Sequence, residues 1–367
     1  MQLMRTIAVW CGWLGLPIAC ALAQDQVAHL GEIHVLPPDS KVGVLISLKP
    51  PGNKIAASPE AVNMMGELIK TNGLETLPDA PWHIELTYDE FDEDGDNTHS
   101  GALEEFYVNP KKYRKVIKTD EFNQTEVASS GDLYRSGDQN WPPAATSQAI
   151  REVLSPLYQY QSSTAGDTSP DKLDWTVAGV KLSCVVLRNP TVLSESGLQK
   201  FCFEPGTTIL RYSRGAGWDE TVYNGVFQLG ERYLARDVEV THGGKPFLKI
   251  HLAKAETAPQ LDESLFLPPT GTPGPLAGVV SVPSAILMKE YLVHREFPPH
   301  MPRGIHGKVT VKFMLNKEGR VVRAQAIDGP EELRKPLEES VMKWQFRPFL
   351  ILDKPVEVES TTVYNIQ

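Results

Sequence analysis

GKVTVKFMLNKEGRVVRAQAID at 307–328, EELRKPLEESVMKWQFRP at 331–348 and KPVEVESTTVY at 354–364 decide the fold of this chain. Lys308 to Leu315 reads as a strand, Asn316 to Gly319 as a turn, and Arg320 to Ile327 as a second strand. A helix follows from Glu331 to Trp344, then a strand from Val356 to Tyr364. Gly319 allows the positive φ that a hairpin turn needs. Trp344 and Phe346 plug the helix end into the sheet, and Pro348 stops the helix. The order ββαβ within about 60 residues suffices for a small domain, which the spacing places at 303–367.

Upstream the composition changes. Pro268-Pro269, Thr272-Pro273-Gly274-Pro275 and Pro298-Pro299 punctuate a linker over 268–302 with room for at most one short helix. Before it, residues 24–267 read as one antiparallel sheet with a few helices. Ser58-Pro59 caps an amphipathic helix, Glu60 to Gly73, that buries Val62, Met65, Leu68 and Ile69 and stops at Asn72-Gly73. Strands follow at Trp82 to Tyr88, Ala102 to Val108 and Tyr113 to Ile117, with a hairpin turn at Asp94-Gly95 between the first two. A second helix spans Thr146 to Leu157, and a polar loop runs from Gln161 to Asp171. A meander then covers Val177 to Leu187, Gln199 to Phe203, Thr207 to Tyr212, Trp218 to Phe227, Tyr233 to Val240 and Phe247 to Leu252. The fold class is α+β: a large curved antiparallel sheet with a few helices, followed by the small ββαβ domain.

Residues 1–23 read as a secretory signal peptide. Arg5 supplies the charge, Ile7 to Ile18 the apolar region, and Ala21-Leu22-Ala23 the cleavage site before Gln24. Two alternatives stay open, an uncleaved inner-membrane anchor and a lipoprotein acylated at Cys20; the apolar run is short for a span, and Pro17 stands where a lipobox wants Leu. Export places the chain in the periplasm. Of the four cysteines, Cys11 and Cys20 leave with the signal, and Cys184 and Cys202 remain to form one disulfide in an oxidising compartment. A net charge of −10 supplies no field for nucleic acid.

The residues quoted at the outset closely resemble the TonB C-terminal domain, through the spaced elements Gly307-Lys-Val309, Gly319-Arg-Val321, Trp344-Gln-Phe346-Arg-Pro348 and Pro355-Val356. That resemblance implies a docking module in which a receptor segment adds as a strand to an exposed sheet edge. The edge expected by position is Val356, Glu357, Val358, Glu359, Ser360, Thr361, Thr362, Val363 and Tyr364; the plainer reading is an ordinary edge protected by Glu357 and Glu359. The family's Tyr-Pro is matched only by Phe297-Pro298, and a signal-like segment leads into a globular region where an energy transducer has a membrane anchor and a long Pro-rich spacer. The preceding region resembles the LolA/LolB-type lipoprotein carriers, on the helix before Asn72-Gly73-Leu74, Pro81-Trp82-His83, Gly101 with Glu104-Glu105-Phe106-Tyr107, and Leu265-Phe266-Leu267-Pro268-Pro269. It implies an acyl cavity lined by Trp82, Phe106, Tyr113, Tyr134, Phe203, Tyr223 and Phe227; the plainer reading is that these rings fill the core.

No catalytic constellation is present: there is no G-x-S-x-G, H-E-x-x-H or Walker sequence, and Gly243-Gly244-Lys245 lacks the Walker spacing. Glu90, Asp92, Asp94, Gly95 and Asp96 imitate the start of a calcium loop, but Gly101 stands where the closing Glu belongs, leaving a solvated acidic hairpin tip. With no C-x-x-C and no His pair at ligand spacing, neither a metal nor a cofactor is expected. The expectation is a non-enzymatic periplasmic adaptor that docks an outer-membrane receptor or other envelope protein, in energy-dependent transport across the outer membrane. Its rivals are a lipid or lipoprotein carrier that holds an acyl chain, and a membrane-anchored energy transducer.

Overall fold

The computed structural model describes residues 30–34, 58–74, 81–158, 160, 169–188, 198–215, 219–272, 274–276, 278–298, 302 and 304–366. The expected signal segment, with Cys11 and Cys20, lies outside them, as does most of the expected loop from Gln161 to Asp171. Among the described residues no helix is long and apolar enough to cross a membrane.

The strands are β1 (Trp82–Phe91), β2 (Asn97–Asn109), β3 (Lys112–Thr119), β4 (Asn123–Ser129), β5 (Asp132–Gly137), β6 (Ser169–Val177), β7 (Val180–Arg188), β8 (Gln199–Phe203), β9 (Leu210–Arg214), β10 (Asp219–Asn224), β11 (Phe227–Leu229), β12 (Arg232–Leu234), β13 (Asp237–His242) and β14 (Lys245–Thr257). Twelve of them form one open sheet in the order β5-β4-β3-β2-β1-β14-β13-β10-β9-β8-β7-β6, and β11 pairs with β12 as a separate hairpin. Every pairing in the large sheet is antiparallel, and most neighbours follow in sequence, as hairpin connections permit. The expected strand Val177 to Leu187 is the second arm of a hairpin turned at Ala178-Gly179, and β4 and β5 were not expected at all. Their residues, such as Asn123-Gln-Thr-Glu and Asp132-Leu-Tyr-Arg, lack a continuous apolar run because the buried side of that part of the sheet is polar.

Two helices cover one face. α1 (Pro59–Thr71) begins at Ser58, whose hydroxyl accepts from the Ala61 amide, and buries Ala61, Met65 and Leu68. Val62, expected inside, is 44% exposed. Asn72 ends the helix: its amide group donates to the carbonyls of Leu68 and Thr208, at 2.9 and 2.8 Å, and its oxygen accepts from the Leu210 amide. α2 (Ala144–Leu154) buries Ala145, Thr146, Ala149, Glu152 and Val153. Strand alternation sends Trp82, Ile84, Leu86 and Tyr88 of β1 toward these helices, where they join one core with Leu103, Phe203, Tyr223 and Phe227. Gly101 sits across from Tyr88, and a Cβ there would lie 2.3 Å from the ring.

The opposite face carries a second, smaller core of Ile33, Leu182, Tyr212, Val222 and the disulfide Cys184–Cys202, whose cysteines are register partners on β7 and β8. Residues 30–34 lie across it. Buried Arg211 donates to the carbonyls of Leu30 and Gly31, and Asn224 exchanges two hydrogen bonds with the backbone of Ile33.

The terminal unit contains β15 (Val279–Ser281), β16 (Leu292–His294), β17 (Gly307–Leu315), β18 (Val321–Asp328), α3 (Glu331–Val341), β19 (Gln345–Phe346), β20 (Leu350–Ile351), β21 (Lys354–Pro355) and β22 (Glu357–Ile366). Its main sheet runs β15-β22-β17-β18, with α3 against one face. The ββαβ order therefore holds, with added short strands. The expected linker 268–302 does not: Val280, Val282 and Leu287 are buried in the terminal core, and β16 pairs with β19, so the domain takes up chain from Val279 onward.

Glu152 is 2% exposed; its Oε2 accepts from the Tyr223 hydroxyl at 2.9 Å, while Oε1 has no partner. Burial pushes its carboxyl up from 4.5 to about 7. A group that binds its proton more tightly when folded adds stability below pH 4.5 and loses that contribution as pH rises through 7. Urea unfolding at pH 5 and pH 8 should show a fall of about 3 kcal/mol that Glu152→Gln removes. Replacing both Cys184 and Cys202 by Ala opens a closed loop with a sequence separation of 18 and should cost about 3 kcal/mol in the same assay.

Candidate functional site

Backbone geometry, not a cluster of reactive side chains, makes the terminal sheet's outer strand a site. β22 pairs along its whole length with β17, from Leu315↔Val358 to Gly307↔Ile366. Val358, Ser360, Thr362 and Tyr364 turn inward to the core, while Thr361, Val363 and Asn365 are exposed. On the far side, β15 lies parallel to β22, but only across Glu357, Val358 and Glu359. The Val282 amide donates to the Glu359 carbonyl at 2.9 Å, and the Ser360 hydroxyl donates to the Val282 carbonyl at 2.6 Å. There the chain turns away into the helical turn beginning at Ser284.

This corrects the expected edge. Val356 precedes β22, and Glu357, Val358 and Glu359 are already covered by the chain's own β15. Glu359, expected to guard the edge, pairs with Lys312 across the sheet at 2.8 Å. Since the Glu359 carbonyl points outward, alternation directs the backbone N–H and C=O of Thr361, Val363 and Asn365 outward as well. Among the described residues no backbone group bonds to them from that side. The other edge, β18, is partly closed: the Ala326 amide donates to the Glu338 carboxylate of α3 at 2.7 Å. The open template is thus the distal half of β22, about five residues or 17 Å of strand.

The domain behind it is tightly held. Trp344 is 1% exposed, donates through Nε1 to the Glu296 carbonyl at 3.0 Å, and packs beside Phe313, Phe346 and Tyr364. Gly319 adopts φ +79° with the Phe346 carbonyl 2.2 Å from where a Cβ would stand, so the hairpin turn and the helix exit require each other. The helix ends at Val341 rather than Trp344. The large sheet touches this domain at β5: the Leu276 amide donates to the Leu133 carbonyl at 2.6 Å, Lys354 pairs with Asp132 at 2.8 Å, and Trp141 meets Phe349 edge-on.

The expected acyl cavity divides differently. Trp82, Phe203, Tyr223 and Phe227 are in the helix-covered core and are packed there, Trp82 stacking on Tyr107 at 4.8 Å. Phe106 stands on the opposite face, stacked on His83, because its register partner alternates outward. Tyr134 forms an isolated bridge with Pro275 at the sheet edge. Tyr113 belongs to an ionic cluster: its hydroxyl donates to Glu126 at 2.7 Å, Glu126 accepts from Arg135 at 2.7 Å, and Lys115 lies 3.5 Å from Glu105. Burial would raise the Glu126 carboxyl, but the Arg135 and Lys115 charges outweigh it and hold it low; burial keeps Glu105 raised despite Lys115. The cleft of about 200 Å³ there is lined by Lys115, Gln124, Glu126 and Arg135 together with Ile117, Trp141, Pro142 and Ile150, and a gap of about 10 Å³ beside Glu152 and Tyr223 holds no more than one water.

Sequence reasoning missed β15, whose signal is the short run Val279-Val280 between Gly278 and Pro283. It also missed a group on the face away from the helices, where His83, Glu85 and Glu104 bring ligand-type atoms within 4.8 Å of one another. The acidic hairpin tip is as expected: Asp92 accepts from the amides of Asp94 and Asp96.

Residues 296–366 match the family described as the Gram-negative bacterial TonB protein C-terminal. Among curated proteins none matches the chain. Among solved structures the chain is similar to a putative outer membrane lipoprotein-sorting protein domain from Vibrio parahaemolyticus, with 10% identity, 56% of this chain and 96% of that one covered, and a TM-score of 0.37. A LolA superfamily protein from Nitrosomonas europaea gives 9%, 56%, 97% and 0.35 for the same measures. A DUF1329 family protein from Desulfovibrio piger gives 9%, 58%, 98% and 0.37.

Replacing Trp344 by Ala removes the ring that joins helix exit, sheet and Glu296. Urea unfolding followed by near-ultraviolet circular dichroism should register a loss of about 3–5 kcal/mol from the terminal domain.

Proposed function

We propose that this chain is a non-enzymatic binding protein of the bacterial envelope, working in the periplasm, whose terminal domain takes an extended segment of a partner as an added strand along the distal half of β22. The observation that carries this reading is the outward, unpaired backbone of Thr361, Val363 and Asn365 at the point where β15 ends. Main-chain hydrogen bonds would supply affinity, and alternate side chains of the incoming segment would supply selectivity. The family match over 296–366 supports the same role, since the resemblance implies strand addition by outer-membrane receptors or other envelope proteins. A signal-like N-terminus and the Cys184–Cys202 disulfide favour an oxidising compartment. The pairing of the chain's own β15 with the proximal part of β22 supports this reading and leaves the part beyond Glu359 for a partner.

The test follows from the alternation. The Val358 amide faces β17, so Pro there would break the domain; the Val363 amide faces the open side, so Pro there removes a docking donor and leaves the β17 ladder intact. Crosslinking pull-downs from outer-membrane extracts should recover a partner with the unmodified chain and at least tenfold less with Val363→Pro, at unchanged melting temperature. Equal recovery by both, or recovery of no envelope protein by either, would sink strand addition as the function.

A further inference from the structure

On the face of the large sheet away from the helices, His83 and Glu85 stand two residues apart on β1 and so project to the same side. Glu104 of β2 is the register partner of Glu85, and Glu256 of β14 is the register partner of His83. The His83 side chain is 7% exposed and held in orientation by stacking on Phe106, ring centroids 4.0 Å apart. Both of its nitrogens meet carboxylates. Nδ1 lies 3.2 Å from Glu256, while Nε2 lies 3.0 Å from Glu104 and 3.6 Å from Glu85.

We propose that His83 Nε2, Glu85 and Glu104 form a zinc-binding site, with Glu256 orienting the ring from behind. A neutral imidazole carries one proton, and Glu256 accepts it at Nδ1. With Nδ1 so occupied, Nε2 faces two further acceptors, an arrangement that a cation between them satisfies. Glu85 and Glu104 make the same demand independently: like charges directly opposite on neighbouring strands repel, yet these two face each other across β1 and β2. Lys254 does not fill the gap. It sits 2.9 Å from Glu256 and 3.9 Å from Glu85, on the β14 side of the histidine. Three carboxylates against one lysine leave two negative charges, which a divalent cation balances.

With metal–ligand bonds of about 2.0–2.1 Å, neighbouring ligand atoms in a tetrahedron stand roughly 3.3 Å apart; the two distances from Nε2 bracket that value, and the three ligand atoms lie within 4.8 Å of one another, so the exposed glutamate side chains need only a small rotation to close on an ion. Nitrogen with carboxylate oxygen selects zinc over magnesium or calcium, which take oxygen donors alone. The Glu256–His83–metal relay is the arrangement by which an outer carboxylate fixes the tautomer of a ligating histidine. Two carboxylates and one histidine leave the fourth position open to solvent, since the side chains of Glu85 and Glu104 are 46% and 41% exposed. The ion would therefore be accessible to a carboxylate or imidazole from another molecule.

The test is isothermal titration of the purified, untagged chain with zinc chloride at pH 7.5, alongside visible spectra with cobalt as a stand-in ion. One equivalent should bind with a dissociation constant in the micromolar range or below, and cobalt should give tetrahedral d–d bands. Glu85→Gln and Glu104→Gln, both changes of exposed side chains, should each weaken binding by about 100-fold or more, and Glu256→Gln by about 10- to 100-fold, at unchanged melting temperature. Calcium and magnesium should give no heat. Absence of zinc binding at 100 µM, or binding that survives both glutamine substitutions, would overturn the site.

Discussion

The period-two alternation of the central strands is the constraint on which the rest of the large sheet depends. Because Trp82, Ile84, Leu86 and Tyr88 must meet α1 and α2, His83, Glu85 and Thr87 have no choice but the opposite face. The neighbouring strands inherit the division through register: Tyr107 goes with Trp82 and Phe106 with His83. One pairing thus decides which rings build the core, which aromatic residue is excluded from it, and which carboxylates gather around an imidazole. A slip of one residue would exchange all of them at once.

The interior so formed is not uniformly apolar. Toward β8–β10 and β13 it is filled by Phe203, Tyr223, Phe227 and their neighbours, with Glu152 alone intruding from α2. Toward β3–β5 it becomes ionic: Glu126 pairs with Arg135 at 2.7 Å and Glu105 lies 3.5 Å from Lys115, while Glu105 Oε2 has no hydrogen-bond partner among the described residues. Such buried pairs gain little stability over apolar packing but tolerate no partial loss, since removing one partner strands the other. The pocket bordered by them is lined as well by Ile117, Trp141, Pro142 and Ile150, so charged and apolar groups meet there.

The terminal domain answers the problem of exposed edges in two ways. β18 has its free amide at Ala326 taken by Glu338, and the proximal half of β22 is covered by β15 from the same chain. Both are means by which sheets avoid unwanted pairing. What remains uncovered is short, and it lies where a partner's strand would be in line with β15. Burial of Val280, Val282 and Leu287 anchors that covering strand in the domain core.

The ββαβ order, the turn at Gly319, the packing of Trp344 and the Cys184–Cys202 pair were all legible in the amino-acid sequence, because each follows from local chemistry: a glycine that must take positive φ, an apolar period, a large ring beside a helix end, two cysteines in neighbouring apolar runs. Polar strands such as β4 and β5 escaped detection, since Glu126 and Arg135 are buried only by virtue of each other. Register and pairing across long sequence separations were decided by the tertiary structure alone. It placed β15 on β22, about 78 residues away, moved Phe106 to the outer face, and brought His83, Glu104 and Glu256 together from strands up to 173 residues apart. No local pattern encodes such contacts, because a strand's sequence states which residues share a face but not which strand lies beside it.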